Sequence, residues 1–148
     1  MQNLLAFLLL IIFSLLALVH VYWACGGQKG ASIAVPERPS RSNSLTMEKA
    51  FQPGRAGTLA VALVLFVVAA MVAVRSGMLG ISVGHTGLNI MRLALAMVAI
   101  AMLLRAIGEF RLVGFFKKIR NTRFARMDTL LYSPLCCVLG LGLAILVL

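Results

Sequence analysis

Six ionisable side chains lie within or beside the long apolar runs of this chain: His20, Arg75, Arg92, Arg105, Glu109 and Asp128. Ionisable groups at membrane depth are costly and are usually paired or functional, so these carry whatever chemistry the chain has. His20 beside Glu109 or Asp128 would make an acid–base pair in which the carboxylate fixes the imidazole tautomer. Arg105 and Arg111 would together grip a phosphate or carboxylate bidentately. The competing reading is structural: Arg105–Glu109 and Arg111–Asp128 as ion pairs that lock helix ends and a loop. Arg105 with Glu109, and Asp128 with Tyr132, stand four residues apart and share a face if the helix runs through them. Tyr22, Trp23 and Cys25 fall near the same level. The candidate polar cluster is therefore His20, Tyr22, Trp23, Arg105, Glu109, Arg111, Asp128 and Tyr132.

The cysteines add no redox motif. Cys136 and Cys137 are adjacent, about 100° apart on a helix, and lack the Cys-x-x-Cys spacing. His20, Cys25 and the distant His85 form no metal-ligand pattern, and no residue set implies a cofactor.

The elements that must position these residues follow from composition. Of 148 residues, 61% are hydrophobic and 12% charged, and mean hydropathy is +1.02. Soluble domains are about 45–50% apolar and about 25% charged. The apolar residues gather in four runs, Leu4–Tyr22, Gly57–Val74, Leu88–Ile107 and Thr129–Leu148, each near the ~20 residues that cross a ~30 Å hydrocarbon core. The expected fold is all-α: an integral membrane four-helix bundle forming one transmembrane domain over residues 1–148, with helices about 4–22, 57–74, 88–107 and 129–148. Nucleotide-binding α/β folds, β-barrels and large transporters are excluded.

Net charge is +10, from fourteen Lys and Arg against four Asp and Glu. In a soluble chain that would suggest nucleic acid; here the basic residues flank the apolar runs, and nucleic acid is not an expected partner. Loop one carries Lys29, Arg38, Arg41, Lys49 and Arg55, and loop three carries Arg111, Lys117, Lys118, Arg120, Arg123 and Arg126. Since positive loops stay cytoplasmic, loops one and three are expected inside and both termini outside. The first run is too long for a signal peptide core, and Met1-Gln2-Asn3 lacks a basic side chain. It reads as a retained helix.

Loop one has linker composition from Val35 to Ser44, and Met47–Phe51 is expected to form a helical turn before Pro53-Gly54. Arg92 sits where it can snorkel outward. In the fourth run, the 15 residues from Pro134 onward make about 22 Å, too short to span. That helix is expected to start near Asp128 as N-cap and to bend at Pro134. Ala69-x-x-x-Ala73 and Gly140-x-x-x-Ala144 offer small-residue packing faces. Loop three, about 108–127, interleaves Phe110, Leu112, Val113, Phe115, Phe116, Ile119, Phe124 and Met127 with six basic residues. That composition suits a basic amphipathic segment in the membrane interface, with Lys117, Lys118, Arg120, Arg123 and Arg126 as lipid-phosphate contacts.

The stretch Arg105-Ala-Ile-Gly-Glu-Phe-Arg-Leu-Val-Gly-Phe-Phe-Lys-Lys-Ile-Arg-Asn-Thr-Arg-Phe-Ala-Arg-Met-Asp-Thr-Leu-Leu-Tyr-Ser-Pro-Leu-Cys136 resembles a family of small bacterial integral membrane proteins, domain of unknown function 3995. So does His20-Val-Tyr-Trp-Ala-Cys-Gly-Gly27 followed by Ala34-Val35-Pro36. The resemblance implies a four-helix protein of the bacterial inner membrane and brings no activity, cofactor or catalytic residue.

Two functional classes remain. One is a structural or interaction protein, set in a homo-oligomer or a larger membrane complex, whose polar cluster fixes helix geometry. The other is a binder, carrier or enzyme acting on a lipid headgroup or small anionic molecule at the cytoplasmic interface. A channel is disfavoured, because no helix carries a polar stripe through the membrane depth. Anionic membrane lipids are expected partners in both classes.

Overall fold

The computed structural model describes residues 2–40, 47–109 and 111–148. The linker and charge assignments at Arg41–Ser44, and Phe110 of loop three, lie outside the described residues. Among the described residues six helical segments and two short strands follow one another: α1 (Gln2–Ala24), α2 (Ala31–Ala34), β1 (Glu37–Pro39), β2 (Met47–Lys49), α3 (Arg55–Arg75), α4 (His85–Ile107), α5 (Arg123–Met127) and α6 (Ser133–Val147). A single π-helical turn, Asp128–Tyr132, joins α5 to α6, so Arg123–Val147 runs as one helical span. The four spans α1, α3, α4 and α5–α6 are each long and apolar enough to cross a membrane. At 1.5 Å per residue the 23 residues of α1 reach about 35 Å.

The spans alternate in direction. Gly142 near the end of α6 packs on Leu5 and Leu9 near the start of α1. The Nε of Arg75, at the end of α3, donates to the Leu146 carbonyl at 3.4 Å, one of the last-turn carbonyls that a helix leaves without an internal partner. At the opposite end, α2 packs against α5. The main packing pairs are α1 with α3 and α4 with α6, closed into a bundle by α1 on α6 and α3 on α4.

Small residues set how closely these pairs approach. Ala6, Ala17, Ala62, Ala69, Ala73 and Ala99 are all buried, and a Cβ placed on Gly140 would press on Leu103 and the Ala99 carbonyl. Without a hydrophobic driving force in lipid, close backbone approach through small residues is the main source of helix association. Phe13, Leu95, Leu139 and Leu143 fill the core between them. Only 17% to 39% of each span's most apolar stretch is buried in the bundle. The remainder, including Leu4, Leu63, Leu93 and Leu104, faces outward as a surface that only lipid or another apolar partner satisfies.

Two elements depart from expectation. Met47–Lys49 is a strand and not a helical turn: it pairs antiparallel with Glu37–Pro39, Arg38 opposite Glu48. Pro36 and Pro39 push the residues before them to extended backbone, and the Arg38 guanidinium meets the Glu48 carboxylate at 3.1 Å across the ladder. The fourth span begins at Arg123 and not near Asp128. Its N-cap is Thr122, whose hydroxyl accepts from the Ala125 N–H at 3.0 Å, leaving Asp128 inside the span. The irregularity expected at Pro134 is a π turn placed just before it. The N–H of Ser133 bonds back to the Asp128 carbonyl, and this wider turn accommodates a proline that has no N–H to give.

Candidate functional site

At the end of the bundle where α4 meets the start of the fourth span, loop three folds into a buried charged centre. Helix α4 stops at Ile107 because Gly108 adopts φ +87°, a left-handed conformation that costs a residue with a Cβ far more than glycine. The chain then returns on itself. Gly114, at φ +90°, lies so close to Ile107 and Gly108 that a Cβ on either glycine would overlap the backbone of the other segment. The Phe115 N–H bonds to the Ala106 carbonyl at 2.9 Å. This reversal delivers the Gly114 N–H to the Asp128 carboxylate.

Asp128 is fully buried. Its Oδ1 accepts from Arg105 Nη2 at 2.9 Å, and its Oδ2 accepts from the Gly114 N–H at 2.8 Å and from Lys117 Nζ at 3.0 Å. Lys117 is 1% exposed. Its other ammonium protons go to the Gly114 carbonyl at 3.0 Å and to Thr129 Oγ1 at 2.6 Å. Thr129 completes the set by donating to the Ala125 carbonyl at 3.1 Å. One carboxylate thus ties the end of α4, the middle of loop three and the first turns of the fourth span. Two cations face it, which leaves the centre one positive charge in excess. Arg105 Nη1 and Ser133 Oγ are the buried side-chain polar atoms without a partner among the described residues.

The expected cluster is thereby divided. Arg105 and Asp128 meet, but Arg105 does not pair with Glu109. An i,i+4 contact needs the helix to continue, and the turn at Gly108 carries Glu109 out to the surface. Exposed Glu109, Arg111 and Lys118 line a shallow depression of about 520 Å³ with Ile119. The partners of Asp128 are Arg105 and Lys117, in place of Arg111. Tyr132 lies one turn beyond Asp128, its ring tilted against Phe124 with centroids 6.2 Å apart.

His20 and Trp23 belong to a separate place between α1 and α3, and Tyr22 stands beside them at the end of α1, 45% exposed. The His20 Nδ1 bonds to the Leu16 carbonyl at 2.7 Å, and the expected pairing of His20 with a carboxylate is not formed. His20 and Trp23 stand edge to face at 5.2 Å. Tyr22 covers Gly27, where a Cβ would enter its ring. Among the five expected lipid-phosphate residues, Lys118, Arg120, Arg123 and Arg126 are exposed and Lys117 is consumed in the buried centre.

Gly114, Lys117 and Thr129 escaped the residue-type search as members of the centre, and Thr122 as the cap of the span that carries it. Thr122, three residues before Ala125 and followed by an apolar–basic alternation, carries an N-cap signal. Nothing in the local sequence separates Lys117 from Lys118; only the turn at Gly114 decides which of them points inward.

Chemically, the centre is closed. Three donors occupy Asp128, so it holds no free carboxylate oxygen facing solvent as a base. Among the described residues, no group of three His, Cys, Asp or Glu side chains is placed to hold a metal ion. Neither the curated proteins nor the solved structures give a significant match to this chain. A family model described as protein of unknown function (DUF3995) matches residues 13–143. With nearly the whole chain covered, spans and charged centre alike, this multi-pass membrane protein belongs to the DUF3995 family.

Proposed function

We propose that this chain is a structural or interaction protein of the bacterial inner membrane, with both termini outside and loops one and three in the cytoplasm. Its working surface is loop three, held rigidly at the interface and presenting Lys118, Arg120, Arg123 and Arg126 to anionic headgroups. The observation that carries the reading is the use of Asp128: its carboxylate is spent inside the protein, on Arg105, Lys117 and the Gly114 N–H. A locked loop with four exposed cations beside exposed Phe115 suits the membrane interface, where apolar side chains enter the acyl boundary and basic ones meet phosphates. Each cation near an anionic surface contributes about 1 kcal/mol, screened by salt. The concentration of Lys and Arg in loops one and three supports the cytoplasmic assignment.

Thermal unfolding in lipid nanodiscs tests the proposal. Ligands that bind the folded state raise its stability by mass action. Anionic phosphatidylglycerol discs should raise Tm relative to zwitterionic discs, the gain should shrink in high salt, and Lys118, Arg120, Arg123 and Arg126 replaced together by Gln should abolish it. An equal Tm in both lipids for the wild type would overturn the proposal.

A further inference from the structure

The cavity between the end of α1 and the start of α3, about 490 Å³, shares no lining residue with the Asp128 centre or the basic platform. It lies within the ~300–1,000 Å³ range of small-molecule sites. Its walls are largely apolar, with Val35, Phe51 and Val61 set against His20, Trp23 and Thr58.

The hydrogen bonds around it determine what it can recognise. A carbonyl only accepts, so the His20 Nδ1 that meets the Leu16 carbonyl carries the proton, which in an imidazole with one proton leaves Nε2 as the acceptor. The Trp23 indole N–H is given to the Lys29 carbonyl at 2.9 Å. The Thr58 hydroxyl proton is given to the Gly54 carbonyl at 3.1 Å. Side-chain donors in the wall are therefore spent, and acceptors remain. None of the lining residues is Asp, Glu, Lys or Arg, so a phosphate or ammonium head would enter without a partner, at a high desolvation cost. An occupant matched to these walls brings a hydroxyl donor, no charge and an apolar body.

We propose that this cavity binds a neutral single-chain lipid with a hydroxyl head, of the monoacylglycerol kind, its hydroxyl donating to His20 Nε2 and its chain lying against Val35, Phe51 and Val61. Val61 and Phe51 line the cavity and are 45% and 55% exposed, so the cavity is open at these walls and a chain can leave it there.

Trp23 is the single tryptophan of the chain and lines the cavity, so its fluorescence reports occupancy. The purified protein in nanodiscs is titrated with a monoacylglycerol brominated along its chain, and separately with the methyl ester of the same brominated acid, which lacks the hydroxyl. The monoacylglycerol should quench Trp23 saturably and be displaced by its unbrominated form. The ester should bind roughly 2- to 12-fold more weakly, the worth of one hydrogen bond. His20→Phe keeps a ring but removes the acceptor, and should erase the preference between the two lipids. A Cβ on Gly57 meets nothing within 4 Å, so Gly57→Leu should fill the cavity and abolish saturable quenching while the protein still unfolds at its usual temperature. Ala34→Leu serves if Gly57→Leu does not fold. Quenching that rises in proportion to lipid content without saturating, equal affinity for the two lipids in the wild type, or saturable quenching retained in a folded cavity-filling variant would overturn the proposal.

Discussion

Replacing Asp128 by Asn changes one atom and removes the charge on which the buried centre is built. Lys117, 1% exposed, would keep its ammonium with two neutral acceptors, the Gly114 carbonyl and the Thr129 hydroxyl. The new amide has one acceptor and one donor end, but three donors converge on the carboxylate from two sides. Whichever way it turns, its NH₂ group faces either the Arg105 guanidinium or the Gly114 N–H and the Lys117 ammonium. Breaking a buried ion pair by removing one partner costs about 3–5 kcal/mol. Lys117→Met is milder, since Asp128 keeps Arg105 and the Gly114 N–H; the loss of one charge-assisted bond costs about 1.5–3 kcal/mol. In the double variant no buried ammonium is left unpaired, so it should be less destabilised than the sum of the two singles by about 0.5–3 kcal/mol. The assay is reversible unfolding in mixed detergent and SDS micelles, followed by circular dichroism. An Asp128→Asn variant within 0.5 kcal/mol of wild type, or a double variant at the plain sum of the singles, would refute the claim that this carboxylate holds the loop to the helices.

Other substitutions follow from the same geometry. Glu109→Gln should leave stability within about 0.5 kcal/mol, as for exposed positions away from any network, and a loss near that of Asp128→Asn would show that Glu109 shares the centre. Gly114→Ala should lower Tm sharply, since a strained positive φ alone costs of order 1–3 kcal/mol and its Cβ would also overlap Ile107 and Gly108; Gly57→Ala, in open space on a helix, is the control and should match or exceed wild type in the same melt. Cys25 is exposed while Cys136 and Cys137 are half-buried in the fourth span. A membrane-impermeant maleimide should therefore label Cys25 in inverted vesicles and leave it unlabelled in intact spheroplasts, and the reverse pattern would invert the proposed orientation.

The four spans were legible because crossing a bilayer demands about 20 apolar residues whatever the tertiary packing, and α1, α3 and α4 end within three residues of the expected limits. The start of the fourth span was not, because Asp128 has the side chain of an N-cap and the sequence offers it as one. Thr122 holds that role, and Asp128 is needed further in. The members of the centre were half legible: charge and depth marked Arg105 and Asp128, while the third member depended on a chain reversal at Gly108 and Gly114 that turns on backbone conformation. The same reversal took Glu109 from the helix face that spacing alone assigned to it. At the end of α1, His20 and Trp23 share a helix face by their spacing, but the cavity beside them is walled by Ala31, Ala34, Val35, Phe51 and Pro53 of loop one, a packing that the linker-like composition of this loop did not announce.

Whether the locked basic platform gathers anionic headgroups is read out by native mass spectrometry of the gently solubilised protein against the bulk lipid composition. Anionic phospholipids should be retained above their bulk share, and lost when Lys118, Arg120, Arg123 and Arg126 become Gln while unfolding stays at the wild-type temperature. Bound lipid in the bulk proportions, unchanged by those substitutions, would contradict it.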